Sequence, residues 1–201
     1  MLGFLLKKIP LDILVVGLGN PGSQYDNTPH NAGFAVIDEL VTRIRQEGST
    51  GRREDKREYS LQETIVGGRR VALVKPLLLM NRSGSALRSL LKHVDVAPDN
   101  IWLVHDEIDL PLGDLRVSFG SRAAGHNGVQ DVIERLSTKD FFRFRIGVRP
   151  PHREGASMKG IAAEYLTGKI SGAYLETLND TIEDCANLVE RSLEQGTPIV
   201  R

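Results

Sequence analysis

A single α/β domain, with a mixed, mostly parallel, twisted central sheet surrounded by helices, is the fold this sequence predicts. Short β-rich runs bounded by Gly, Pro or Asp alternate with longer stretches of helical periodicity, which places helices on a sheet. The 201 residues, 40% of them hydrophobic, suit one domain with a full core. Polar clusters follow apolar runs or flank glycines, where an α/β protein presents side chains from rigid strand ends.

The elements follow in order. Residues 1–11 form an N-terminal extension, and the first strand is expected at 12–16, running into GLGNPG at Gly17–Gly22. TPHNAG (Thr28–Gly33) opens a helix over 31–47, with Asn31 as its N-cap and Ala32, Phe34, Ala35, Ile37 and Leu40 apolar. Residues 46–56 are polar and read as an exposed loop. Strands are expected at 58–66 and 70–74, followed by KPLLLMNRSG (Lys75–Gly84) and a helix at 81–93. A strand at 101–105 leads into HDEIDLPLG (His105–Gly113), and another follows at 114–119. GHNG (Gly125–Gly128) starts a helix at 126–136, and a strand follows at 142–148. Residues 147–160, with Pro150, Pro151, His152 and Gly155, read as a mobile loop near the cleft. The last helix, 171–194, sets Leu175, Leu178, Ile182, Ala186, Val189 and Leu193 on one face. No internal repeat or linker divides the chain.

The run ILVVGLGNPG matches the G-x-G-x-x-G dinucleotide pattern but lacks its context. That pattern needs a helix opening at the glycines, whose amides hold a pyrophosphate. Here Pro21 follows Asn20, and Asp26, Asn27 and Pro29 are turn formers. Asp38 and Glu39 then fall inside a helix, not at the strand end where a ribose is read.

Composition narrows the classes further. No apolar stretch is long enough to span a membrane. The single cysteine, Cys185, excludes an intramolecular disulfide and fits a reducing compartment. The expected location is the cytoplasm; the basic, apolar start MLGFLLKKIPLD leaves a short mitochondrial presequence as the alternative. Formal net charge is +0, yet residues 111–160 hold nine Lys/Arg against five Asp/Glu, and residues 161–201 three against seven. A basic stretch on a neutral protein fits an anionic partner such as nucleic acid; a merely solvated basic surface is the competing explanation.

The polar clusters suggest hydrolysis by an activated water. There is no G-x-S-x-G elbow, and Cys185 lies in an amphipathic helix away from any histidine motif. His30 titrates near neutrality and suits a general base. Asp106, one residue past a strand, is placed to fix its tautomer and stabilise the imidazolium. Asn20, Asn81 and Asn127 offer amide donors and acceptors, and Met80 an apolar wall. Taken singly, each is better explained as a cap or loop tie. A zinc site from His30, His105, Asp106 and His126 is disfavoured, because strand alternation sends His105 and Asp106 to opposite faces. His126 is expected to orient the turn before its helix, or to touch phosphate.

GLGNPG, HNAG, MNxSG, HDExDLPxG and GHNG, in this order and spacing, resemble the bacterial-type peptidyl-tRNA hydrolase family from about Asp12 to the final helix. The resemblance implies a monomeric α/β domain without metal or organic cofactor. It implies hydrolysis of the ester joining a peptide to the 3′-terminal ribose of tRNA, which recycles tRNA from aborted translation. By resemblance His30 is the base, Asp106 its partner, and Asn20, Asn81 and Asn127 hold substrate, while Tyr25 matches a tyrosine at the tRNA end. The partner implied is tRNA, with no membrane and no obligate protein partner.

The chain departs from the family in three places. Pro29 stands where arginine is common, and Arg122, Ala123 and Ala124 precede GHNG where glycines or small residues are common. Ser118 takes the second of two basic strand positions, after Arg116. Phosphate contacts are therefore expected from Arg116, Arg122, Arg143 and Arg145. Non-catalytic RNA-binding relatives, akin to splicing factors, are the alternative; retention of Asn20, His30, Asp106 and Asn127 favours the enzyme.

Overall fold

The computed structural model describes residues 8–46, 48, 51–151, 158 and 160–200. Strands β1 (Ile9–Pro10) and β2 (Ile13–Gly17) precede helix α1 (Ala32–Gln46). Then come β3 (Arg53–Asp55), β4 (Tyr59–Val66), β5 (Arg69–Pro76), α2 (Ser83–Leu90), β6 (Val94–Asp95), β7 (Ile101–Pro111) and β8 (Leu115–Phe119). Helix α3 (Asn127–Leu136), β9 (Phe142–Arg149), α4 (Ala162–Thr167) and α5 (Ala173–Gln195) complete the order.

Seven strands form one sheet in the order β3-β4-β5-β2-β7-β9-β8. The centre is parallel: β2 pairs with β5 and β7, and β7 with β9. The flanks are antiparallel, β3 on β4, β4 on β5 and β8 on β9. All five residues of β2 are buried, as a central strand covered on both faces requires. One core joins the sheet to α1 and α5 through Ile13, Val15, Trp102, Phe144, Leu178 and Val189. The other joins it to α2 and α3 through Leu14, Val16, Leu87, Leu103, Val129 and Phe141. The domain is thus three layers, with the apolar stripes of α1 and α5 on one side and those of α2 and α3 on the other.

Several expectations need correction. The expected loop at 46–56 contains β3, whose charged RED sequence pairs as an edge strand on β4 without an apolar signal. The strand expected to stop at His105 continues to Pro111, so Asp106 lies inside β7 and not past it. Backbone pairing with β9 carries the polar HDE segment, and the register shifts only between Glu107 and Pro111. Strands β1 and β6, two residues each, and the six-residue α4 are too short for periodicity to reveal. Asn31 is not an N-cap, since a 3₁₀ turn at Pro29–Asn31 precedes α1. Of the loop expected at 147–160, residues 147–149 belong to β9, while 152–157 and 159 lie outside the described residues, as do 1–7 of the extension.

Close backbone approach sets where α1 begins. A Cβ on Gly33 would sit 2.3 Å from the Val104 carbonyl oxygen and 2.6 Å from the main chain of Leu18. A Cβ on Gly17 would sit 2.2 Å from the Gly33 oxygen. These contacts bring the turn holding His30 down onto β2 and β7. Gly33→Ala should therefore lower stability by about 1–3 kcal/mol or more, read as a loss in thermal or urea midpoint. An unchanged midpoint would show that the helix start has room to shift.

Candidate active site

The polar clusters converge at the loops that follow β2 and β5 and on the middle of β7, where Asp106 lies. Asn20, 6% exposed, follows β2. Its main-chain N–H donates to Asn31 Oδ1 (2.8 Å), and its carbonyl accepts from Asn31 Nδ2 (3.1 Å). Asn31, expected as a cap, instead clasps the main chain of Asn20. The Asn20 side chain then reaches the loop after β5, where Oδ1 accepts from the Met80 N–H at 2.8 Å. With the oxygen so committed, the amide nitrogen of Asn20 is oriented as a donor.

Met80 is buried against the start of α3, where a Cβ on Gly128 would meet its sulfur at 2.4 Å. Asn81 and Asn127 flank this contact, one in the 3₁₀ turn Met80–Arg82 and one at the first residue of α3, and both are exposed. Tyr25 ends a 3₁₀ turn at Ser23–Tyr25 and is half-buried.

The candidate proton-transfer groups form a buried cluster. Asp106 is 1% exposed, and its Oδ1 accepts two hydrogen bonds, from His30 Nδ1 (2.9 Å) and His126 Nε2 (3.1 Å). The protons can be assigned from their partners. The Nδ1 of His126 accepts from the N–H groups of Gly128 and Val129 at 3.1 and 3.3 Å, capping α3, so its proton is on Nε2. His30 donates its Nδ1–H to the carboxylate, which leaves Nε2 as the basic nitrogen. Sequence reasoning put His126 at this turn but missed its bond to Asp106. His105 packs edge-on against His126 at 4.8 Å between ring centres, and its Nδ1 bonds its neighbour's carbonyl, Asp106 O, at 2.6 Å.

Burial would push the Asp106 carboxyl up, but the charges and hydrogen bonds of His30 and His126 outweigh it and hold it well below the usual carboxylate range. For His30 burial works downward; the Asp106 charge and hydrogen bond prevail and raise it above 6.5. His105 is pushed well below 6.5, by burial first and then by His126 and Arg143.

His30, Asp106 and His126 bring potential ligand atoms within 4.8 Å of one another, and His105 is not among them. The set is poorly suited to a metal, because a cation on His126 Nε2 would force a proton onto Nδ1, against two helix N–H groups. Cys185 is wholly buried in α5 and its thiol is pushed up by burial, so it is no nucleophile. Asp106 and His126 also line a cavity of about 520 Å³, whose apolar wall includes Ile108, Ala124, Met158, Ala162 and Leu166. Tyr165 fastens α4 over this side by donating to the Val148 carbonyl at 2.8 Å.

The expected basic residues separate into two groups. Arg116 on β8 and Arg145 on β9 stand directly opposite each other. Arg116 and Arg122 are exposed. Arg143 is 1% exposed, and its guanidinium holds the Ser121 hydroxyl and the Arg122 carbonyl (2.9 Å). Burial, with Arg145 nearby, brings it down to about 10. It is thus not presented for phosphate contact as expected, but braces the loop that carries His126 and Asn127.

A carboxylate-held imidazole, a fixed amide donor and exposed amides are groups that a hydrolytic enzyme of the α/β class would use. The peptidyl-tRNA hydrolase family profile matches residues 14–200. The peptidyl-tRNA hydrolase of Paenarthrobacter aurescens is 38% identical over 185 residues, covering 91% of each chain. That of Aquifex aeolicus is 35% identical over 181 residues, covering 90% of each. The crystal structure of peptidyl-tRNA hydrolase from Acinetobacter baumannii superposes with a TM-score of 0.79 at 31% identity, covering 94% of this chain and 92% of that one. The chain belongs to the peptidyl-tRNA hydrolase family.

Proposed function

We propose that His30, oriented by Asp106, removes a proton from a water that attacks the ester carbonyl of peptidyl-tRNA. The chain is a peptidyl-tRNA hydrolase, an enzyme cleaving the ester between the peptide and the 3′-terminal ribose of tRNA. The observation that carries the mechanism is the 2.9 Å bond from His30 Nδ1 to buried Asp106, which commits that nitrogen and leaves Nε2 as base. Asp106 stabilises the imidazolium as it forms. The amide of Asn20, fixed through Met80, donates to the developing oxyanion. Asn81 and Asn127, exposed on either side of Met80, hold the peptide backbone and terminal ribose, and Tyr25 contacts the tRNA end. The cavity beside Asp106 takes the peptide. Arg116, Arg122 and Arg145 grip tRNA phosphates. His126 acts on Asp106 and not on phosphate, since both of its ring nitrogens are engaged. The enzyme works as a cytoplasmic monomer; among the described residues no helix is long and apolar enough to cross a membrane.

Release of free tRNA from N-acetyl-aminoacyl-tRNA, with EDTA present, tests this reading. Turnover by the wild-type chain is expected, and tRNA binding without turnover would favour the RNA-binding relative. Asn20→Asp should lower kcat by about 10²–10³, because a carboxylate keeps the contact with Met80 but cannot donate to an oxyanion. A variant with normal kcat and raised KM would make Asn20 a ground-state contact only.

A further inference from the structure

A buried carboxylate stands among the arginines of the β7–β9–β8 edge. Glu107, next in the chain to Asp106, is 3% exposed. Its Oε2 accepts from Arg145 Nε (3.1 Å) and lies in an ion pair 3.0 Å from Arg145 Nη2, and its Oε1 accepts from the Asp109 N–H at 3.2 Å. Arg145 faces Arg116 across the strand pair, and among the described residues Arg116 has no ion pair. Arg143, two positions before Arg145, feels both the like charge of Arg145 and the opposite charge of Glu107.

Two of the three guanidinium nitrogens of Arg145 are therefore already directed at a protein carboxylate. A phosphate approaching Arg145 meets donors that are shared and a negative charge that is fixed nearby. Glu107 cannot swing into water to relieve this, because it is buried and its other oxygen is tied to its own strand. We propose that Glu107 is an internal competitor for phosphate: a buried counter-ion that restrains Arg145, weakens the grip on the tRNA body and so favours release of the deacylated product. The inference rests on the reading of Arg145 as a phosphate contact. It makes Glu107 a positioning residue of the strand that also carries Asp106, linking the tRNA-body site to the reacting centre through adjacent residues.

Titration of deacylated tRNA over a series of salt concentrations tests it, using Glu107→Gln, Arg145→Gln and the double variant. Glutamine keeps the shape and one acceptor but removes the charge. Glu107→Gln should tighten tRNA binding about three- to tenfold at low salt and steepen the salt slope by about one unit. The KM for peptidyl-tRNA should fall with it. Arg145→Gln should weaken binding, and the double variant should bind better than Arg145→Gln alone, since an unpaired Glu107 repels phosphate. Weaker or unchanged binding by Glu107→Gln overturns the proposal, because a merely structural ion pair would cost stability without tightening anything. If Glu107→Gln fails to fold, the comparison of Arg145→Gln with the double variant decides, and equal binding overturns it. Wild-type affinity and slope for Arg145→Gln would instead overturn the phosphate reading underneath.

Discussion

His30→Ala should lower kcat for peptidyl-tRNA by about 10² to 10⁴ while the protein stays folded. The variant removes the uncommitted basic nitrogen of His30; the Nε2 of His105 also lacks a partner, but that ring is wholly buried and its pKa is pushed well below 6.5. His126 cannot replace it, because its Nδ1 is held by two N–H groups of α3 and its Nε2 proton by Asp106. The fold should tolerate the change, since the α1 start is fixed independently of this buried ring by Gly33 against Val104. Single-turnover rates alongside thermal melts separate the two effects. A well-folded variant within about threefold of wild type would remove His30 from the chemistry.

Asp106→Asn should give the second large loss, again about 10² to 10⁴ in kcat, with a smaller effect on tRNA affinity. Asparagine fits the space, but its neutral oxygen no longer favours an imidazolium. The pH dependence gives an independent sign. The Asp106 charge and hydrogen bond raise His30 above 6.5 against the downward pull of burial. Without the charge, burial prevails and the His30 ionisation moves down. As general base His30 must be neutral, so the acid limb of kcat/KM should lie above 6.5 in the wild type and shift to lower pH in the variant. A limb that stays in place, or a loss confined to KM, would make Asp106 a ligand contact.

Much of this was legible in the sequence because rigid, local signals carried it. The central strands, with their continuous apolar runs, and the amphipathic α1 and α5 announced themselves by periodicity, and their order implied helices on both faces of a partly parallel sheet. The polar clusters were legible too, since each follows a strand or flanks glycines. What escaped were relations between clusters. Nothing local distinguishes Asn31 as a helix cap from Asn31 as a clasp on Asn20 eleven residues away. The extension of β7 through His105, Asp106 and Glu107 depends on backbone pairing with β9, which has no side-chain signature. Arg143 and Arg145 look equivalent in FRFR, yet the loop at Ser121 and Arg122 covers one, and the other meets Glu107. The double role of His126 rests on two partners, the start of α3 close by and Asp106 twenty residues away, and only the first is visible in GHNG.

The ¹⁵N titration of the His30 ring in the free enzyme tests the central claim most directly, since it reports which nitrogen holds the proton and when the ring charges. The account predicts a neutral form with the proton on Nδ1 and a bare Nε2, ionising above 6.5 and tracking the acid limb of kcat/KM. A neutral ring protonated on Nε2, or an ionisation below 6.5 that the rate does not follow, would contradict it.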